Sequence, residues 1–154
     1  MKVILPGSYD PVTVGHLDII KRAAEKYEKA YAVIFINPKK TYRFSIEDRV
    51  KMLTLATEDL GNVTVGYSDG LVIDYMKEHG IEKIVKGYRN DSDLEYEKLQ
   101  ADWNKEHGGY ETELLKCDPN LSEVSSTKVR QALENGEKAS DLLPDRVKKY
   151  IDSL

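Results

Sequence analysis

Three apolar residues, Val3-Ile4-Leu5, are closed off by Pro6-Gly7, and a helical pattern follows with Leu17, Ile20, Ala23 and Ala24 on one face. A strand that turns through glycine into a helix commits the start of the chain to a βα unit. Such units, repeated, build a parallel sheet covered by helices. The same turn prepares an anion site, because the first N–H groups of a helix lack intrahelical partners and the helix dipole adds partial positive charge there. Residues 7–16, Gly-Ser-Tyr-Asp-Pro-Val-Thr-Val-Gly-His, occupy that turn. Thr13 and His16 are spaced to project from one face of an opening helix, and Gly15 between them lets a ligand approach the backbone closely. A histidine delivered to an anion cradle points to chemistry on a phosphate, not to simple storage.

The remainder alternates strand and helix. Residues 2–5 read as a strand and 15–27 as a helix, and a second strand over 31–36 ends at Asn37-Pro38. Ser45 is placed to cap a helix bearing Val50, Leu53 and Ala56 or Thr57, with Asp48 in its first turn. A third strand covers 63–67, a helix over 71–79 stops at His79-Gly80, and 83–86 is a fourth strand. A polar helix over 93–106 ends at Gly108-Gly109, 113–117 is a fifth strand, and helices over 126–134 and 144–152 flank Asn135-Gly136. The expected architecture is a single α/β domain over 1–154: a Rossmann-like, doubly wound sheet of about five parallel strands with helices on both faces. Ligands of such a sheet bind beyond the carboxyl ends of its strands.

Composition narrows the function. A chain of 154 residues is long enough to bury roughly 70% of its unfolded surface. The net charge of −4 argues against nucleic acid as a partner, which needs a basic surface. No apolar stretch approaches the length of a membrane span, and the first residues are too short for a signal peptide. Cys117, the lone cysteine, has no internal disulfide partner, so a cytoplasmic location is expected, and it reads as a small buried residue. His79 and His107 sit beside glycines at helix ends and read as caps or surface residues. No His, Cys and Asp grouping has metal-ligand spacing, so no protein metal site is expected.

An acidic protein that handles an anion must concentrate its cations locally. Lys39, Lys40 and Arg43 follow the second strand, and Lys86 and Arg89 mark the end of the fourth, the same rim as His16. Either cluster alone is also what an ordinary solvated loop contains. The segment Val124-Ser125-Ser126-Thr127-Lys128-Val129-Arg130 supplies hydroxyls to cap a helix whose free N–H groups can face a phosphate. An ordinary capped surface helix has the same look.

The string Gly7-Ser8-Tyr9-Asp10-Pro11 with Thr13-Val14-Gly15-His16 resembles the nucleotidylyltransferase signature. Four segments together, 6–23, the Asn37-Pro38 segment with Lys40 and Phe44, KGYRNDSDLEYE at 86–97 and VSSTKVR at 124–130, resemble the phosphopantetheine adenylyltransferases over nearly the whole chain. The third is the most discriminating, since that family reads R-G-[LI]-R-x-x-x-D-[FL]-E-Y-E there. The resemblance implies transfer of AMP from ATP to 4'-phosphopantetheine, yielding dephospho-coenzyme A and pyrophosphate, with Mg2+ carried mainly by ATP and with a homo-oligomer, a hexamer, as the assembly.

By resemblance His16, Lys40 and Arg89 are the catalytic residues. Ser8, Tyr9, His16, Gly87, Tyr88, Arg89, Glu97, Ser122, Glu123, Val124, Ser125, Ser126, Thr127 and Lys128 surround ATP. Ser8, Lys40, Val72 and Lys86 hold the acceptor. Independently of the resemblance, a phosphate acceptor is already an anion at neutral pH, so the reaction needs positioning and electrostatics more than a base or a protein nucleophile.

Lys86 stands where the family has arginine, a point charge in place of a bidentate fork, and weaker or less selective acceptor binding is expected. Ser8 for threonine keeps the hydroxyl, whereas 98–119 is more polar than the family's helix and strand. Two other readings share parts of this pattern. A nucleotidylyltransferase for another acceptor would keep 7–16 and lack the 86–97 motif, and a nucleotide-binding module would need only the cradle.

Overall fold

The computed structural model describes residues Met1–Leu154. Five strands, β1 (Lys2–Gly7), β2 (Lys29–Phe35), β3 (Val63–Ser68), β4 (Lys83–Tyr88) and β5 (Glu111–Lys116), alternate with helices α1 (Val14–Lys26), α2 (Ile46–Thr57), α3 (Val72–His79) and α4 (Asp91–Gly108). The chain closes with α5 (Ser126–Glu134) and α6 (Asp145–Asp152), each preceded by a short 3-10 turn. The sheet is parallel throughout, in the order β3-β2-β1-β4-β5. This is the expected Rossmann-like architecture.

Alternation along the strands builds two apolar layers. Val3 and Leu5 of β1 face one way, into a core with Ile19, Ile20 and Ala23 of α1, Met52 and Leu53 of α2, Val129 of α5 and Val147 of α6. Ile4 faces the other way with Val33, Ile84 and Met76 of α3. Adjacent residues of β1 thus reach opposite layers, as a period of two requires. Gly87 lets α1 sit tightly on β4, since a Cβ there would come within 2.7 Å of Ile19 Cγ1.

The helix ends follow local chemistry. Ser45 Oγ accepts the Asp48 N–H at 3.1 Å, as expected. Gly80 and Gly109 stop α3 and α4 in the left-handed conformation, with φ of 65° and 75°. Each of these helices carries a histidine in its last turn stacked on an aromatic ring one turn earlier: His79 on Tyr75 and His107 on Trp103.

Some boundaries differ from those expected. Helix α4 starts at Asp91, not 93, because Asn90 is its cap and accepts the Asp93 N–H at 2.9 Å. Strand β2 runs from Lys29 to Phe35, two residues early at its start. Strand β5 begins at Glu111, not 113. It lies at the sheet edge, where Glu111 and Glu113 form ion pairs with Lys105 and Lys26, so its start lacks an apolar pattern.

The chain winds from β1 through β2 to β3, then returns to place β4 on the other side of β1. Strands that leave a shared boundary in opposite directions open a crevice at their carboxyl ends. Here that crevice lies between Leu5–Gly7 and Val85–Tyr88.

Candidate active site

The Ser8–Thr13 turn is held from three sides. Asp10, almost fully buried, accepts backbone N–H groups of Arg43 at 2.9 Å and Phe44 at 3.0 Å, tying the loop after β2 to the loop after β1. Arg49 of α2 donates to the Ser8 carbonyl at 3.2 Å. From α5, Arg130 donates to the Asp10 carbonyl at 2.8 Å and Ser126 Oγ donates to the Pro11 carbonyl at 2.8 Å. Three distant segments therefore fix one turn, and its backbone is preorganised.

Thr13 caps α1 and forms a reciprocal capping box with His16. The His16 N–H donates to Thr13 Oγ1 at 3.3 Å, and the Thr13 N–H donates to His16 Nδ1 at 3.0 Å. This arrangement settles the tautomer. Nδ1 is an acceptor, so Nε2 carries the proton in the neutral ring and is left free for a ligand. Tyr9 packs edge-on against the imidazole, with ring centroids 4.9 Å apart, and donates its hydroxyl to the Leu5 carbonyl at 2.8 Å. Burial pushes the Tyr9 phenol up, so it stays protonated. Burial, followed by the charges of Lys86 and Arg89, holds His16 down at about 4. At neutral pH the residue presents an uncharged N–H donor beside two cations.

Two cavities open along this turn. The first, of about 350 Å³, is lined by the residues 5–10 turn, Thr13, Gly15 and His16, by Val85–Arg89, and by Val124–Thr127 with Arg130. The second, of about 260 Å³, runs along α4 past Val72, Tyr96, Glu97, Gln100 and Asn104. Pro6, Gly7, Ser8 and Lys86 belong to the walls of both. Lys86 Nζ donates to the Pro6 carbonyl at 3.2 Å and lies 3.6 Å from Glu97 Oε2. Burial raises Glu97 above the usual carboxylate range, an effect that Lys86 partly offsets.

Of the residues expected at a site, Ser8, Tyr9, His16, Lys86, Gly87, Tyr88, Arg89, Val124, Ser125, Ser126 and Thr127 line the first cavity. Val72 and Glu97 line the second. Lys40 is on an exposed turn and lines neither cavity, nor do Ser122 and Glu123. Lys128 is also outside, paired with Glu123 at 2.6 Å, while its backbone N–H donates to the capping Ser125 Oγ.

Three polar residues that the sequence reading left without a role join the site. Arg130 lines the first cavity from α5. Asp93 accepts both the backbone N–H and the guanidinium of Arg89, each at 3.1 Å, and fixes that side chain at the rim. Arg49 lies beneath the turn. Asp93 had a detectable signal, since it follows Arg89 by one helical turn. Cys117 is buried on the cavity wall, in keeping with its reading as a small buried residue.

Comparison with known proteins fits this geometry. Residues 4–132 match the cytidylyltransferase-like family. A phosphopantetheine adenylyltransferase of Clostridium novyi (strain NT) is 41% identical over 149 residues, covering 96% of this chain and 92% of the relative. The chain belongs to the phosphopantetheine adenylyltransferase family. Membership of this nucleotidyltransferase family makes the protein a transferase of coenzyme A biosynthesis.

Proposed function

We propose that the protein transfers AMP from ATP to 4'-phosphopantetheine, with the nucleotide in the first cavity and the acceptor arm in the second. The observation that carries this reading is the shared wall: Ser8 and Lys86 belong to both cavities, where an acceptor phosphate and an α-phosphate have to meet. An oxygen of the acceptor phosphate attacks the α-phosphorus, the bond to the bridging oxygen of the β-phosphate breaks, and pyrophosphate leaves with that electron pair. Dephospho-coenzyme A is the other product. No proton has to be removed from the nucleophile, so the protein's work is to hold two polyanions in line and stabilise the charge that develops.

In this reading the uncharged Nε2–H of His16 donates to the phosphates, and Lys86, Arg89 and Arg130 supply the positive field. The N-terminus of α5, with Ser126 and Thr127, faces the triphosphate. Lys86 serves the acceptor phosphate from the junction, and Val72 contacts the pantetheine arm. Lys40 acts from its exposed turn once substrate is bound. Magnesium arrives with the nucleotide, as the family resemblance implies. The acidic groups lining the first cavity are occupied, Asp10 by two N–H groups and Asp93 by Arg89. ATP oxygens and water therefore supply the ligands.

The outward-turned Tyr96, Leu99 and Trp103, on one face of α4 and 60, 68 and 42% exposed, support a homo-oligomer, for which the family resemblance indicates a hexamer. No helix is long and apolar enough to cross a membrane, and with the free Cys117 this supports a cytoplasmic location. His16→Ala tests the chemistry. Turnover should fall on the order of 10²–10³-fold, the loss found on removing one donor to a developing oxyanion, with ATP affinity changed only a few-fold. Turnover within fivefold of the wild type would remove His16 from the mechanism.

A further inference from the structure

Arg49 is 3% exposed, yet it forms no ion pair. Its Nε is buried without a partner. The guanidinium lies 4.0 Å from the centroid of the Tyr42 ring, and Nη1 donates to the Ser8 carbonyl. A nearly buried cation held by one carbonyl and a ring, with its Nε unpartnered, is poorly compensated. Packing alone would be served as well by an apolar side chain, so the charge must act on what it touches.

What it touches is one face of the Ser8–Tyr9 peptide. The Ser8 carbonyl and the Tyr9 N–H belong to one planar trans unit and point in opposite directions. Ser8 and Tyr9 line the first cavity and Arg49 does not, so the carbonyl is turned out of the cavity and the N–H into it. That N–H has no hydrogen-bond partner within the protein. Tyr9 adopts φ 46°, the only positive value at a residue other than glycine, a conformation that persists only where its surroundings enforce it. Tyr42 extends the support: its hydroxyl accepts the Asn37 N–H at 2.8 Å, joining the loop after β2 to the same strut.

On the reading of the first cavity as the nucleotide site, we infer that Arg49 is a positioning residue that locks the Ser8–Tyr9 peptide and presents the Tyr9 N–H to a phosphate oxygen. Its unbalanced charge polarises that peptide and adds to the field felt by the anion. The nucleotide phosphates complete the charge balance that the protein leaves open.

Tripolyphosphate is the probe. In ¹⁵N-labelled wild-type protein the Tyr9 amide resonance should move downfield on titration. By calorimetry, Arg49→Met should bind tripolyphosphate about tenfold more weakly or worse, and Arg49→Lys, which keeps charge and a donor, should recover most of the loss. The melting temperature of Arg49→Met should equal or exceed the wild type's, since a similar-sized apolar chain replaces an unpaired charge. A Tyr9 amide that stays in place at saturation, or binding by Arg49→Met within twofold of the wild type, overturns the assignment. The amide measurement needs no variant, so a resonance that stays in place overturns the assignment even if Arg49→Met does not fold. Wild-type protein that binds tripolyphosphate but makes no pyrophosphate from ATP and phosphopantetheine refutes the transfer reaction and leaves Arg49's role standing. Absence of any tripolyphosphate binding refutes both.

Discussion

The neutral state of His16 has a measurable consequence for the fold. In the unfolded chain an imidazole protonates near pH 6.5, whereas in the folded protein burial, Lys86 and Arg89 hold it down at about 4. Between these values the unfolded state binds the extra proton. Stability at this site is therefore full above the unfolded value and is lost as pH falls through the window. From pH 7 to pH 5 the unfolded chain gains about 0.7 of a proton here and the folded chain almost none, a loss of about 2 kcal/mol. The imidazole is partly open to the cavity, so solvent screening brings the expected range to about 1–2 kcal/mol.

Urea unfolding at both pH values, for the wild type and His16→Gln, isolates the effect. Carboxylates contribute to both proteins and cancel in the difference of differences. The wild type should lose about 1–2 kcal/mol more than the variant on acidification. Equal losses, or an imidazole that titrates near 6.5 in the folded protein, would refute the claim that burial, Lys86 and Arg89 keep His16 uncharged through this window.

Other substitutions test the framework around it. Gly87→Ala places a Cβ against Ile19, with approaches of 2.7 and 3.0 Å; the overpacking should cost about 1–3 kcal/mol in urea unfolding and lower turnover by shifting β4. Asp10→Asn keeps one acceptor for the N–H groups of Arg43 and Phe44 and opposes the other with a donor. It should lose about 1–3 kcal/mol of stability and lower the melting temperature.

What the sequence disclosed and what it withheld divide along the range of the interactions. Val3 to Leu5, the glycine turn and the apolar face of α1 are local, and periodicity with turn and capping chemistry made the first βα unit and the alternation after it readable. His16 was legible because Thr13 and the glycine turn lie within a few residues of it. Glu97 was placed from the resemblance, and only the packing of α4 shows it on the wall of the second cavity beside Lys86. Lys40 was grouped with the cations because it follows a strand end, which fixes the backbone's position and not the reach of an exposed lysine. Arg49 sits between Asp48 and Val50 in an unremarkable helical stretch. Only the fold reveals that this position turns inward beneath Ser8, and Arg130 owes its place to the docking of α5 on a turn 120 residues earlier.

The central claim is that one protein joins ATP to an acceptor phosphate across the wall formed by Ser8 and Lys86. The most direct measurement is pyrophosphate release by the purified protein with magnesium, crossing ATP and CTP against phosphopantetheine, nicotinamide mononucleotide and glycerol phosphate. Release with ATP and phosphopantetheine alone is the predicted result. Release only with another pair, or with none, would contradict it.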